Sequence, residues 1–91
     1  MNFYFKPKRE LPAGKGFADI VYIPKPEYRK NHSALVVELK WNQDVQTAID
    51  QIKKKQYQET IKEYTDNILF IGINYDRKSK KHECLIEEFK N

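Results

Sequence analysis

The chain has 91 residues, of which 40% are hydrophobic and 33% charged, enough for one domain with a thin core. The net charge of +4 suits a polyanionic partner without requiring one. A single cysteine excludes a disulfide framework and indicates a reducing compartment. The chain lacks both an apolar run of the ~20 residues that a membrane span needs and an apolar N-terminal signal. We therefore expect a cytoplasmic protein with no membrane association.

Five strands and one helical region are predicted along the chain. Alternating or continuous apolar patterns indicate strands over residues 2–6, 17–23, 33–41, 68–75 and 81–89, and residues 8–16 are rich in turn formers. The order is β-β-β-α-β-β. Three meandering strands, a crossover helix, a parallel fourth strand and an antiparallel fifth strand predict an α/β fold with a mixed central sheet.

The helical region follows the third strand. Asn42 or Asp44 is a suitable N-cap, because a short side-chain oxygen can accept a hydrogen bond from a free helix N–H. Apolar residues then recur at the spacing of one helical face, and a second, rotated stripe predicts a break within residues 53–56. The first stripe is Val45, Ala48, Ile49 and Ile52, and the second is Tyr57, Ile61 and Tyr64.

The third strand is the most apolar segment of the chain, and its near-continuous run predicts a central strand that is covered on both faces. Trp41 ends this strand. Its indole could stack on a base or a sugar, or it could pack under the crossover helix, which is the interpretation we favour.

Three charged residues interrupt the apolar strands and are the candidates for chemistry. Asp19 lies in the second strand, and Glu38 and Lys40 lie in the third, where residues two apart share a face. Two carboxylates near a backbone carbonyl offer the hard oxygen ligands that Mg²⁺ or Mn²⁺ prefers. The alternative is structural: Glu38 and Lys40 form an ordinary ion pair, and a turn around residues 14–16 satisfies Asp19.

The same residues resemble the split motif of the PD-(D/E)xK nuclease superfamily. The motif reads GFADIV around Asp19 and LVVELK up to Lys40, with 18 residues between Asp19 and Glu38. The downstream helix and the last two strands are similar to one bacterial branch, which lies C-terminal to AAA-ATPase-like domains. The residues that carry this second likeness are Ala48, Gln51, Ile52, Lys55 and Tyr57, with residues 71–75 and 81–86.

The resemblance implies a restriction-endonuclease-like core that lacks its usual first helix. It implies that Asp19, Glu38 and the carbonyl of Leu39 bind Mg²⁺ or Mn²⁺, that Lys40 is the catalytic lysine, and that Gln51 contacts substrate or a metal-bound water. The expected activity is metal-dependent hydrolysis of nucleic acid, with DNA favoured over RNA. The absent helix suggests that residues 1–91 are one domain, a C-terminal fragment of a larger protein with an AAA-ATPase-like domain.

Several basic and aromatic residues are candidates for contacting nucleic acid, since cations that neutralise phosphates drive such binding. For the clusters on the helix and at the last hairpin, the alternative is an ordinary solvated surface. A non-catalytic nucleic-acid-binding or regulatory module is the alternative function, and dimerisation through an exposed sheet edge is a further one. The candidates are Lys53, Lys54, Tyr57, Lys80 and Lys81.

Overall fold

The computed structural model of the chain describes residues 2–13, 16–55 and 66–90. Within these ranges the predicted order of three strands, a helix and two strands is confirmed. The elements are β1 (Lys8–Ala13), β2 (Gly16–Tyr22), a 3₁₀ turn (Pro26–Tyr28), β3 (Ala34–Trp41), α1 (Val45–Lys55), β4 (Asn67–Asp76) and β5 (Lys81–Lys90). Across the same ranges, no helix combines the length and the apolarity that a membrane crossing requires.

The five strands form one mixed sheet, in which the order in space follows the order along the chain. β1, β2 and β3 form an antiparallel meander, β4 runs parallel to β3, and β5 is antiparallel to β4. Parallel neighbours cannot be joined by a tight turn. The segment that contains α1 makes the crossover between β3 and β4, and this confirms the predicted α/β class.

The first strand lies later in the chain than predicted. Residues 8–13, predicted as a turn, form β1, whereas residues 2–6 form only an isolated bridge between Tyr4 and Pro24. Proline lacks an N–H donor, so Pro24 limits that pairing. Pro12 suggested a turn for the same reason, but β1 is an edge strand, and edge strands tolerate proline.

α1 packs on one face of the sheet, called here the helix face. The predicted apolar stripe is confirmed, since Ala48, Ile49 and Ile52 are fully buried. Asp44 caps the helix by accepting a 2.7 Å hydrogen bond from the Thr47 N–H, which lowers the pKa of its carboxyl group. The second stripe lies outside the described residues. The core of this face consists of Val21, Ala34, Val36, Ile49, Ile52, Ile68 and Phe70.

The opposite face of the sheet, called here the open face, is partly exposed. Leu39 is 43% exposed and Trp41 is 67% exposed, so the prediction that β3 is covered on both faces along its whole length is wrong. The placement of Trp41 under the crossover helix is also wrong. An apolar run identifies a strand, but it does not show which of its faces another element will cover.

Gly72 lets α1 approach the sheet closely. A Cβ atom on Gly72 would lie 2.9 Å from the Cβ of Ala48 and 2.9 Å from the Val45 carbonyl oxygen. Overpacking of this kind forces a backbone shift. Gly72→Ala should therefore lower the free energy of unfolding by about 1–3 kcal/mol in urea denaturation.

The control for this prediction removes one of the two contacts. Ala48→Gly alone should cost about 1 kcal/mol as a helix glycine, and the Gly72→Ala/Ala48→Gly double variant should lose less stability than the sum of the single variants. Strict additivity would contradict the direct contact between position 72 and the helix.

Candidate active site

The two predicted carboxylates come from adjacent strands. β2 and β3 pair at Ile20 with Val37, so Asp19 and Glu38 are the next residues on the two strands. At this point the Leu39 N–H donates a 2.7 Å hydrogen bond to Oδ2 of Asp19. A side chain thus links the two strands where the described main-chain pairing between them ends, and it holds the Asp19 carboxylate beside β3.

Glu38 lies on the helix face and is buried, with 3% of its side chain exposed. A buried carboxylate is costly unless a charge or hydrogen bonds compensate it. Lys40 lies two residues away on the same face, with its Nζ atom 3.9 Å from Oε1 of Glu38 and 20% of its side chain exposed. The cation therefore partly compensates the Glu38 charge and still reaches solvent.

The oxygen atoms around this point suit a hard divalent cation. Asp19 and Glu38 supply carboxylates, and the main chain at Leu39 supplies a carbonyl. No group of three or more His, Cys, Asp and Glu side chains suited to a metal occurs among the described residues. Mg²⁺ is commonly bound by one or two carboxylates and keeps several waters, so the residues present fit such an ion.

The loop between β3 and α1 is fixed by a residue that the sequence analysis did not select. Asn74 is 3% exposed and bonds twice to Gln43, accepting from its N–H at 3.0 Å and donating to its carbonyl at 2.7 Å. Asn42 takes a left-handed conformation with φ 54° and accepts from the Arg77 N–H at 2.7 Å. These bonds tie the loop after Lys40 to β4 and the turn that follows β4.

A signal for Asn74 was present in the sequence, since it is the lone polar side chain within the apolar run of residues 68–74. A buried amide in such a run is expected to bond to main-chain groups. Its partner could not be predicted, because contact with Gln43 depends on the parallel register of β3 and β4.

The remaining predicted residues are distributed over three places. Gln51 is half-buried on α1. Lys53 forms an ion pair with Glu87 of β5, and Lys54 is exposed. Lys80 and Lys81 are exposed at the hairpin between β4 and β5, and these strands lie two and three positions from β2 in the sheet. Tyr57 lies outside the described residues.

A cavity of about 570 Å³ opens beside Asp19, near the point where the described pairing of β2 and β3 ends. Its lining also includes Leu39 and Trp41 from β3 and Arg9 from β1. Arg9 was not among the predicted site residues, because its segment was predicted as a turn. The cavity connects the Asp19 carboxylate with the open face of the sheet.

The model of the PD-(D/E)XK nuclease superfamily matches residues 1–84 of the chain. The match spans β1 to the middle of β5 and includes Asp19, Glu38 and Lys40. Neither a curated protein nor a solved structure matches the chain significantly.

Because Glu38 is buried, we expect its charge to lower the free energy of unfolding of the metal-free protein. In metal-free protein, Glu38→Gln should raise the free energy of unfolding or leave it unchanged, because it removes a buried charge. Lys40→Met should lower it by about 1–3 kcal/mol, because it removes the nearby cation and leaves the carboxylate buried.

Both variants would be compared with the parent by urea denaturation in the presence of a chelator. A loss of stability in Glu38→Gln that equals the loss in Lys40→Met would contradict this account. It would show that the pair is a net stabilising ion pair.

Proposed function

The chain belongs to the PD-(D/E)XK nuclease superfamily, and we propose that it hydrolyses phosphodiester bonds in nucleic acid at a site formed by Asp19, Glu38 and Lys40. One observation carries the proposal: the Asp19 carboxylate is fixed against the main chain of β3, next to the buried Glu38 and its lysine neighbour. Membership of a superfamily does not by itself establish activity, so the proposal depends on this local arrangement.

Nucleases of this superfamily generally depend on a divalent metal. We propose that Asp19, Glu38 and the Leu39 carbonyl hold Mg²⁺ or Mn²⁺, whose donor preferences these oxygens match. When bound, such an ion polarises the scissile phosphate and lowers the pKa of water. The Leu39 N–H contributes by fixing the orientation of the Asp19 carboxylate.

Lys40 is the proposed catalytic cation. Its ammonium group lies beside Glu38 and is partly exposed, so it can orient a water molecule or stabilise negative charge that develops on the phosphate. Glu38 keeps this ammonium at the site through the 3.9 Å ion pair. Gln51 on α1 is proposed to orient substrate from the helix side.

The proposed substrate is DNA in preference to RNA. The chain carries a net charge of +4, and Lys54, Lys80 and Lys81 are exposed. Cations on the surface attract the phosphate backbone and release its counterions. We also propose two further partners. One is an AAA-ATPase-like domain in the full-length protein, and the other is a second copy of the chain.

One contact favours a second candidate function, a nucleic-acid-binding module without catalysis. The hydrogen bond from Leu39 occupies one oxygen of Asp19 and links β2 to β3. In that case Asp19 would stabilise the association of β2 with β3, and the Glu38–Lys40 pair would have only a structural role. Metal binding and cleavage distinguish the two functions.

The experiment is a calorimetric titration of Mn²⁺ into the purified chain, followed by cleavage assays on single-stranded and duplex DNA. The parent should bind the ion, and Asp19→Ala and Glu38→Ala should lose both binding and cleavage. Glu27→Ala, which removes an exposed carboxylate in the 3₁₀ turn at the opposite end of β3, is the matched control and should behave as the parent.

Lys40→Ala separates metal binding from chemistry. It should retain Mn²⁺ binding and lower turnover by roughly 10²–10³-fold, the range for loss of one group that stabilises the transition state. Parent protein that binds no Mn²⁺ and cleaves nothing would support the binding module instead. Full cleavage by Asp19→Ala and Glu38→Ala would show that the site is assigned wrongly.

A further inference from the structure

Three aromatic rings form a continuous row on the open face of the sheet, called here the aromatic ladder. Trp41, Tyr75 and His82 are directly paired residues on β3, β4 and β5. The Trp41 and Tyr75 ring centroids are 5.1 Å apart, and those of Tyr75 and His82 are 4.8 Å apart. The ladder thus crosses three strands at one end of the sheet.

The ladder is available to a partner. Trp41 is 67% exposed, His82 is also exposed, and Tyr75 between them is half-buried. An indole that adds nothing to the core and leaves most of its surface in water is unusual for a structural residue, because apolar burial is the main contribution of tryptophan to stability. The exposed rings therefore favour a ligand with flat faces that can stack on them.

The ladder begins beside the cavity that Asp19 lines, on the face of β3 opposite to Glu38 and Lys40. Leu39 precedes Trp41 by two residues on the same face of β3, and both line the cavity that contains Asp19. Arg9 lines the same cavity. A chain-like ligand can therefore extend from the cavity across the three rings without leaving the open face.

The far end of the ladder is basic. Arg77, Lys78, Lys80 and Lys81 form the hairpin that follows Tyr75, and all four are exposed. Asp76 is engaged locally by the Ser79 hydroxyl at 2.8 Å and the Lys78 N–H at 3.2 Å, and these bonds lower the pKa of its carboxyl group. Within the described residues no carboxylate forms an ion pair with any of the four cations. The charge at this end favours a polyanion over an apolar protein surface.

A ligand that combines flat faces with a phosphate backbone is a nucleic acid whose bases are exposed. Bases of a duplex are stacked inside the helix and cannot lie on the ladder. Neighbouring strands are about 4.8 Å apart. The ring planes of Trp41 and Tyr75 are inclined by 73° and those of Tyr75 and His82 by 47°, so each ring offers its own face to one base.

We propose that the aromatic ladder binds single-stranded nucleic acid, with bases stacked on Trp41 and Tyr75 and phosphates on the basic hairpin. This inference rests on the proposed function only in taking the cavity at Asp19 as the reaction centre. The substrate class is thereby narrowed to single strands or to duplexes with single-stranded ends.

Trp41 is the sole tryptophan of the chain, so its fluorescence reports directly on the ladder. The test titrates an oligothymidylate of about 20 nucleotides, enough to span a site of this size, into the full chain with a chelator present. A blunt duplex of the same length is titrated in parallel. The single strand should quench the fluorescence at saturation and bind tighter than the duplex by roughly tenfold or more.

Variants measured by anisotropy of a labelled strand locate the contact. Trp41→Ala should weaken binding by roughly tenfold or more, whereas Trp41→Phe, which keeps an aromatic ring, should retain most of the affinity. Ile86→Ala is the matched control, since Ile86 is a 57% exposed apolar residue of β5 outside the ladder, and it should bind as the parent. Lys80→Ala/Lys81→Ala should weaken binding and reduce the salt slope by up to about 1.4, at about 0.7 per phosphate.

Three outcomes would overturn the proposal. The first is duplex binding as tight as single-strand binding, and the second is an equal loss of binding in Ile86→Ala and Trp41→Ala. The third is a parent dimer in sedimentation that Trp41→Ala dissociates, which would assign the open face to a second copy of the chain. The strand titration uses metal-free protein, so its result does not depend on Mn²⁺ binding. Either titration can therefore fail while the other succeeds, and the two proposals are tested separately.

Discussion

The parallel pairing of β3 with β4 is the constraint on which the rest of the structure depends. Parallel strands require a crossover, and here α1 in that crossover packs on one face of the sheet against Gly72. The two faces consequently differ. The helix face holds the buried core, whereas the open face leaves Leu39 and Trp41 exposed at the end of β3.

The alternation of β3 divides its last residues between these two environments. Glu38 and Lys40 point to the helix face, where the carboxylate is almost fully buried. Leu39 and Trp41 point to the open face and line the cavity. A buried carboxylate lowers stability unless it is compensated, and proteins retain such costs where function needs them. The proposed metal ion would give this buried carboxylate a further partner beside Lys40.

Periodicity and apolar runs made most of the fold predictable. β4 follows from a continuous apolar run, β5 from a loose alternation, and the stripe of α1 from a period of 3.6 residues, since these patterns report local burial. β1 was missed because Pro12 indicates a turn in isolation, whereas its place at the sheet edge makes it acceptable in a strand. The exposure of Trp41 could not be predicted, because the sequence pattern at a strand end is the same whether or not another element covers the hydrophobic residue.

The site shows the same division between local and tertiary information. The position of Asp19 beside the third strand follows from the predicted meander, and Glu38 and Lys40 share a face by spacing alone. The Leu39–Asp19 hydrogen bond and the clamp of Asn74 on Gln43 depend on the strand register, which no single segment encodes.

Asp19 connects the two proposed parts of the molecule. Its carboxylate is bonded to β3 beside Glu38 and also lines the cavity shared with Trp41. The cavity therefore places the Asp19 carboxylate within reach of a ligand on the open face, whereas Glu38 and Lys40 lie on the helix face of β3. Arg9 of β1 lines the same cavity, so a cation is available there to a phosphate. The proposed preference for single strands therefore rests on the aromatic ladder, and the cavity connects the ladder to Asp19.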